Sequence, residues 1–216
     1  MGRRGVWAVL AVLAGCTAGP KAPARTEGER AEGLRAAHGI ELLGAWRDTE
    51  LLELRAALAC YPNRDFSGVT LVREVGTQER GGQYHRGRIA VREASMDVLV
   101  HELGHAVHSR CPGAAEINAA LANILPFDSF HRVSSWEDGT DGPRAGFVSP
   151  YAAMDVNECV AESLAAVKLW VAEGRGPLAD VDWTDQRFQT VYEILSRHNL
   201  LTEEDWGAIR WLRMRR

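Results

Sequence analysis

The sequence predicts an α+β domain that is mostly helical and carries a small sheet, antiparallel or mixed. Three observations lead there. Apolar residues after position 48 recur mainly at intervals of three and four, the period of a helix with one buried face. Only two runs, 69–72 (VTLV) and 88–91 (RIAV), have the short β-branched character of strands, with a polar, Gly-rich stretch between them. The composition, 46% hydrophobic and 25% charged over 216 residues, suits one globular domain with appendages and excludes wholesale disorder.

The chain opens with an address. Arg3 and Arg4 precede an apolar run, 6–13, that is too short to span a bilayer and ends in small residues. Leu13-Ala14-Gly15-Cys16 resembles the bacterial lipobox, which implies a signal peptide over 1–15 and a mature N-terminus at Cys16 carrying lipid. Acylation there would anchor the protein firmly, since more than one chain is attached. Thr17 rather than Asp follows the cysteine, and by resemblance to Gram-negative lipoproteins this favours the outer membrane, facing the periplasm or the surface. Residues 16–30 are then the acylated cysteine and a flexible tether rich in Pro, Ala, Gly and charge, reaching about 45 Å when extended. The folded domain is expected over 31–216.

Within it, Asp48-Thr49 opens a helix that Pro62 stops. The two strand runs follow and are expected to pair antiparallel. Ser95 to Ser109 reads as an apolar, periodic helix ended by Pro112, and Ala114 to Ile124 as another ended by Pro126. The tract 127–145 is rich in turn residues and reads either as a lid or as an inert insertion. Asp155 can cap a long helix running to Glu173, which Gly174 and Gly176 terminate. Thr184/Asp185 and Thr202 open the last two helices, the second with a Thr202-x-x-Asp205 capping box.

The formal net charge of -4 argues against a general nucleic-acid binder, which needs clustered positive charge. Arg210, Arg213, Arg215 and Arg216 instead complement the dipole of the last helix or stay solvated. A monomer is expected.

The chemistry begins at His101-Glu102-Leu103-Gly104-His105. Spacing of four on a helix puts both imidazoles on one face, about 5–6 Å apart at Cβ, where they can share one Zn²⁺. Glu102 lies beside that face, within reach of a metal-bound water as its general base. With 7 His in the chain, a chance occurrence is expected on the order of once in a hundred such sequences. A catalytic zinc needs a third protein ligand and an open position. Position 111 is Cys, so the third-His pattern of metzincins is absent. His108 sits about 10 Å along the axis from His101, too far to share the ion, and reads as a surface or groove histidine.

The acidic candidates are Asp97, Glu116, Asp155, Glu158, Glu162 and Glu173. Asp97 precedes His101 by one turn and cannot reach an ion between His101 and His105; Glu116 follows the Cys111-Pro112-Gly113 break, which leaves its direction open; Asp155 is better placed as a cap, and Glu173 falls near solvent. Glu158 and Glu162 remain, one turn apart in an otherwise apolar helix, where a buried carboxylate pair is costly unless a cation or hydrogen bonds compensate. Spacing alone does not choose between them.

At this point the chain resembles the catalytic domain of anthrax lethal factor and the related zinc metallopeptidases of bacterial lipoproteins. There H-E-x-G-H-A-V is followed by S-x-Y-A/G and then E-x-x-A-E, with seven residues from Tyr to the first Glu; here Tyr151 and Glu158 keep that interval. The likeness covers roughly 85–170, with Cys159-Val160 replacing the usual aromatic pair and Pro150 preceding the Tyr. It implies a zincin-like fold of gluzincin type, one zinc ion held by His101, His105 and Glu158, Tyr151 stabilising the oxyanion, and Glu162 orienting a ligand histidine. A peptide or protein substrate follows, and the implied reaction is peptide-bond hydrolysis with Glu102 as base. By analogy with metallopeptidases generally, Arg88–Val91 is expected to be an edge strand that binds an extended peptide. The alternative is a lipoprotein of the envelope that binds zinc without cleaving anything; an intact Glu102 speaks against it.

Three cysteines remain after Cys16, in a compartment that permits disulfides. Cys60 and Cys111, each at a helix end, are the expected pair, a bridge worth roughly 4 kcal/mol in the chain-entropy model. Cys159 reads as a small hydrophobe.

Overall fold

The computed structural model of the chain describes residues 26–75, 81–127, 146–179 and 181–215. The signal peptide, Cys16, most of the tether and nearly all of the 127–145 tract lie outside the described residues. Seven helices and four strands follow in the order α1 (Glu27–His38), β1 (Glu41–Leu43), α2 (Asp48–Ala59), β2 (Thr70–Arg73), β3 (Gly82–His85), β4 (Arg88–Val91), α3 (Met96–Ser109), α4 (Ala114–Ile124), α5 (Val156–Glu173), α6 (Gln186–Arg197) and α7 (Glu203–Met214). The domain is α+β, mostly helical, with a small mixed sheet.

Helix α1 begins inside the stretch expected to be tether. Thr26 accepts from the Glu29 amide, Glu29 returns the bond to the Thr26 amide, and Gly39 closes the helix in the left-handed region. Only Leu34 of this helix is buried, so there is little apolar periodicity to read. Among the described residues, helical structure therefore starts at Glu27, capped by Thr26, ahead of the expected Ala31.

The sheet order is β1-β2-β4-β3. Strands β1, β2 and β4 run parallel, and β3 pairs antiparallel with β4. This corrects the antiparallel expectation for 69–72 and 88–91. An unforeseen strand, β3, occupies the stretch between them and turns back at Arg86-Gly87 (φ 46° and 85°), so β4 runs in the direction of β2. It also corrects the expectation that Arg88–Val91 is an edge: β4 is interior, and the edges are β1 and β3. Leu42, Leu71 and Ile89 stand side by side in register and are buried, which fixes the pairing.

Helix α3 runs through the middle of the core, packed on α5, α2, β3 and β4. Leu99, Val100, Leu103 and Ala106 are fully buried on it, and each buried Leu contributes about 2 kcal/mol of transfer free energy. Where α3 meets α5, Gly104 lies so close that a Cβ would stand 3.3 Å from the Ala161 Cα and 3.2 Å from the Tyr61 hydroxyl. Tyr61 donates that hydroxyl to the Val100 carbonyl at 2.7 Å. Helix α5 is capped by Asp155, which accepts from the Asn157 and Glu158 amides, and ends on left-handed Gly174. A buried pair, Lys168–Asp205, ties α5 to the capping box of α7.

Cys60 and Cys111 are both free thiols, so the expected bridge is absent. Their sulfurs turn to different carbonyls: Cys60 to Ala56 within its own helix, Cys111 to His198 at the end of α6. Cys159 is free and buried, as a small hydrophobe should be. Among the described residues, no helix is long and apolar enough to cross a membrane.

Candidate metal centre

His101 and His105 occupy consecutive turns of α3, and the close α3–α5 crossing brings the first turns of α5 over them. The Oε2 of Glu158 lies 3.1 Å from His101 Nε2 and 3.2 Å from His105 Nε2, and the two Nε2 atoms are 3.1 Å apart. The three atoms form a nearly equilateral triangle. A tetrahedral zinc with bonds of about 2.0–2.1 Å needs its ligands about 3.3 Å from one another, so the triangle has the size of one face of that tetrahedron.

The chemistry of the donor set fits a cation. His101 Nδ1 is 2.7 Å from Glu162 Oε1, which places the ring proton on Nδ1 and leaves the Nε2 lone pair facing inward. Glu162 is buried and cannot be rehydrated. Its other oxygen, Oε2, accepts from the Ser149 hydroxyl at 2.6 Å, and Ser149 Oγ accepts from the Ala152 amide at 3.1 Å. With His101 so oriented, its Nε2 lone pair and a carboxylate oxygen meet at contact distance beside His105 Nε2, an arrangement that repels unless protons or a metal ion stand between.

The electrostatics lean the same way. Burial disfavours the charged form of His101, but the carboxylates of Glu158 and Glu162 outweigh it and raise the imidazole to about 10. Burial likewise works against ionised Glu158, yet the two imidazoles hold it down at about 2. The pocket is built to stabilise positive charge at the triangle.

Glu102 is the contrasting carboxyl. Burial raises its pKa, partly offset by His101 and His105, and its Oε2 has no hydrogen-bond partner among the described residues. Tyr151 begins a 3-10 turn, Tyr151–Ala153, and its ring centroid lies 5.8 Å from that of His101. Burial and then the neighbouring carboxylates, Glu158 first, push its phenol well above the ordinary value, so it remains a hydrogen-bond donor.

Glu102, His105, Tyr151 and Glu158 line a cleft of about 660 Å³ with Gly82 and Tyr84 of β3 and Asp155, a size ordinary for ligand sites. All six residues expected in the site, His101, Glu102, His105, Tyr151, Glu158 and Glu162, thus come together. Of the other acids, Asp97 and Glu173 pair with Arg175, exposed Glu116 faces His198, and Asp155, though it borders the cleft, is engaged as the cap of α5. His108 is buried yet still borders the same cleft, so the groove half of its sequence reading holds and the surface half does not; Asn118 of α4 stands beside it, and burial lowers its pKa.

Sequence reasoning did not single out Ser149, Gly82, Tyr84 or Ser109. Ser149 had a signal, the Ser-x-Tyr spacing ahead of Tyr151; the others stand in or against a strand whose pattern was not legible. No family model, no curated protein and no solved structure matches this chain.

Proposed function

We propose that this protein is a zinc-dependent peptidase with a zincin-like fold, held at the cell envelope by lipid on Cys16. The observation that carries the reading is the triangle of His101 Nε2, His105 Nε2 and Glu158 Oε2, backed by the His101–Glu162 bond. A structural zinc normally closes its fourth position with Cys or His. Among the described residues, the three-ligand group includes no fourth such side chain.

Zinc in this position would supply a Lewis acid and a water acidic enough to be a nucleophile near neutral pH. His101 and His105 would hold it through neutral Nε2, and Glu158 would bring one negative charge. Glu102 takes the proton of the attacking water onto its carboxylate and returns it to the leaving amine nitrogen. Its raised affinity for a proton suits both halves of that shuttle. Tyr151 donates its phenolic hydrogen to the oxyanion that develops on the scissile carbonyl, a contact typically worth about 3 kcal/mol. The exposed edge of β3 borders the cleft and can accept an extended peptide by strand addition, the role first expected of β4.

The lipid anchor and the outer-membrane location rest on residues 1–17 alone. A peptide or protein at the envelope is the substrate, and the enzyme acts as a monomer without nucleic acid. The test is to incubate the purified full-length protein, in detergent, with a diverse quenched-fluorescence peptide pool. Cleavage should need zinc, stop with chelator and return on re-addition. Tight zinc binding without cleavage by any pool member would favour the non-catalytic alternative.

A further inference from the structure

We propose that strand β3 is the positioning element of the metal centre, with Gly82 leaving the space that Glu102 fills and Tyr84 holding the His105 imidazole in place. The inference rests on the metal reading above and extends it to residues that touch neither ion nor substrate carbonyl.

The two ligand histidines are held differently. His101 is anchored through Nδ1 by Glu162 and, behind it, Ser149. No carboxylate does the same for the Nδ1 of His105 among the described residues. Instead the Tyr84 ring lies against it, centroids 6.1 Å apart and planes only 12° from parallel. Tyr84 is itself fixed at its far end. Its hydroxyl is 2.6 Å from Ser109 Oγ, which donates onward to the Ala106 carbonyl at 3.1 Å, so the phenol donates to Ser109. Ser109 stands one turn beyond His105, and Tyr84 therefore braces the ligand against its own helix.

Gly82 lies two residues before Tyr84, on the same face of the strand. A Cβ there would come within 2.6 Å of Glu102 Cγ and 2.8 Å of its Oε1. No side chain fits unless the Glu102 carboxyl moves. One strand face thus sets both members of the H-E-x-x-H motif that Glu162 does not reach.

The register makes this placement stable. Gly82 pairs with Val91 and Tyr84 with Ile89, and both partners are fully buried. A slip of one residue would turn Gln83 and His85 toward α3 and expose the core side of β4's partners. The core of the sheet, through β4, therefore fixes β3, and β3 fixes Glu102 and His105.

The test is made on the full-length protein with four substitutions. Zinc affinity is read by competition with a chromogenic chelator. Tyr84→Leu is expected to weaken zinc about 10–100-fold, the usual cost of losing an outer-shell support. Tyr84→Phe and Ser109→Ala should each weaken it by a smaller and equal factor, and the double variant should lose no more than either single one, because both remove the same hydrogen bond. Gly82→Ala should keep zinc within about twofold and lower kcat on the order of 100-fold by displacing Glu102. A readout without metal is the His105 ring resonance in the zinc-free protein, sharp in wild type and broadened in Tyr84→Leu. Wild-type affinity and a wild-type ring signal in Tyr84→Leu would overturn the role of Tyr84, and unchanged kcat in Gly82→Ala would overturn that of Gly82. If Tyr84→Leu does not fold, the Tyr84→Phe and Ser109→Ala pair decides. If the wild type binds no zinc, the metal reading fails, and the ring signal still decides whether β3 positions His105.

Discussion

The Ser149 hydroxyl lies 2.6 Å from Glu162 Oε2, while the other oxygen of the same carboxylate lies 2.7 Å from His101 Nδ1. One buried group thereby joins His101 to the segment that carries Tyr151. Glu162→Ala removes the acceptor that fixes the His101 tautomer and should weaken zinc about 10–100-fold. Ser149→Ala leaves that acceptor but frees one of its oxygens and the Ala152 amide. It should weaken zinc only a few-fold, yet lower kcat further by loosening Tyr151. Chelator competition and steady-state kinetics on the two variants separate these effects; equal zinc loss in both would contradict the order.

Ligand and base should also separate. Glu158→Ala removes one corner of the triangle and should largely abolish zinc retention on dialysis. Glu102→Gln leaves all three corners and should keep zinc at wild-type stoichiometry while cutting kcat by about 10²–10⁴. Elemental analysis beside a peptide assay checks both; full zinc occupancy in Glu158→Ala would refute its place as a ligand.

Much of this arrangement was legible because it lies in contiguous helical patterns. Asp155, Asp185 and Thr202 mark their helix starts by side-chain caps, and Gly174 marks a helix end by its left-handed turn. His101, Glu102 and His105 share one helix, and Glu158 and Glu162 another. The parts that were not legible depend on tertiary placement. β3 reads Gly-Gln-Tyr-His, with no β-branched residue, and becomes a strand because β4 offers it an edge. β1 has three residues and α1 one buried side chain, too little for a periodic signal. Missing β3 gave β4 the wrong neighbours and the wrong place in the sheet.

The membrane expectation is testable apart from the chemistry. Cys16→Ser should yield an unprocessed or soluble product, and the wild-type protein should partition with membranes and carry acyl mass by intact-protein mass spectrometry. A wild-type protein cut after residue 15 without added mass, or not cut at all, would remove the lipoprotein reading.

Away from the site, Glu50 should make stability fall in acid. It is buried at the start of α2; burial works against its charge, but bonds from Arg47 and then Arg73 outweigh that and lower its pKa. A carboxyl whose folded pKa lies below its unfolded one stabilises the fold fully above the unfolded value. That contribution is lost as pH drops from the ordinary 4.5 through the depressed folded value. Glu50→Gln should cost on the order of 2 kcal/mol at pH 7 and flatten the pH dependence as pH falls below the ordinary 4.5. Urea unfolding across that range measures it, and an unchanged slope would show that the Arg contacts do not bias Glu50.

The closeness of α3 and α5 is what lets Glu158 reach the histidines, and Gly104 is what permits that closeness. Alanine there gains about 1 kcal/mol of helix propensity but forces a methyl against the Ala161 backbone and the Tyr61 hydroxyl, at 3.3 and 3.2 Å. Overpacking in a tight core costs about 1–3 kcal/mol, and neither backbone nor a buried, bonded phenol yields easily. Gly104→Ala should therefore lower Tm by about 2–8 °C. It should also weaken zinc, since any separation of the helices lengthens the Glu158 edges of the triangle while leaving the edge between His101 and His105 intact. Gly207→Ala in α7 is the control: nothing stands within 4 Å of the added methyl, so propensity alone operates and Tm should hold or rise. Equal behaviour of the two variants in calorimetry and zinc competition would mean that the crossing is not set by Gly104.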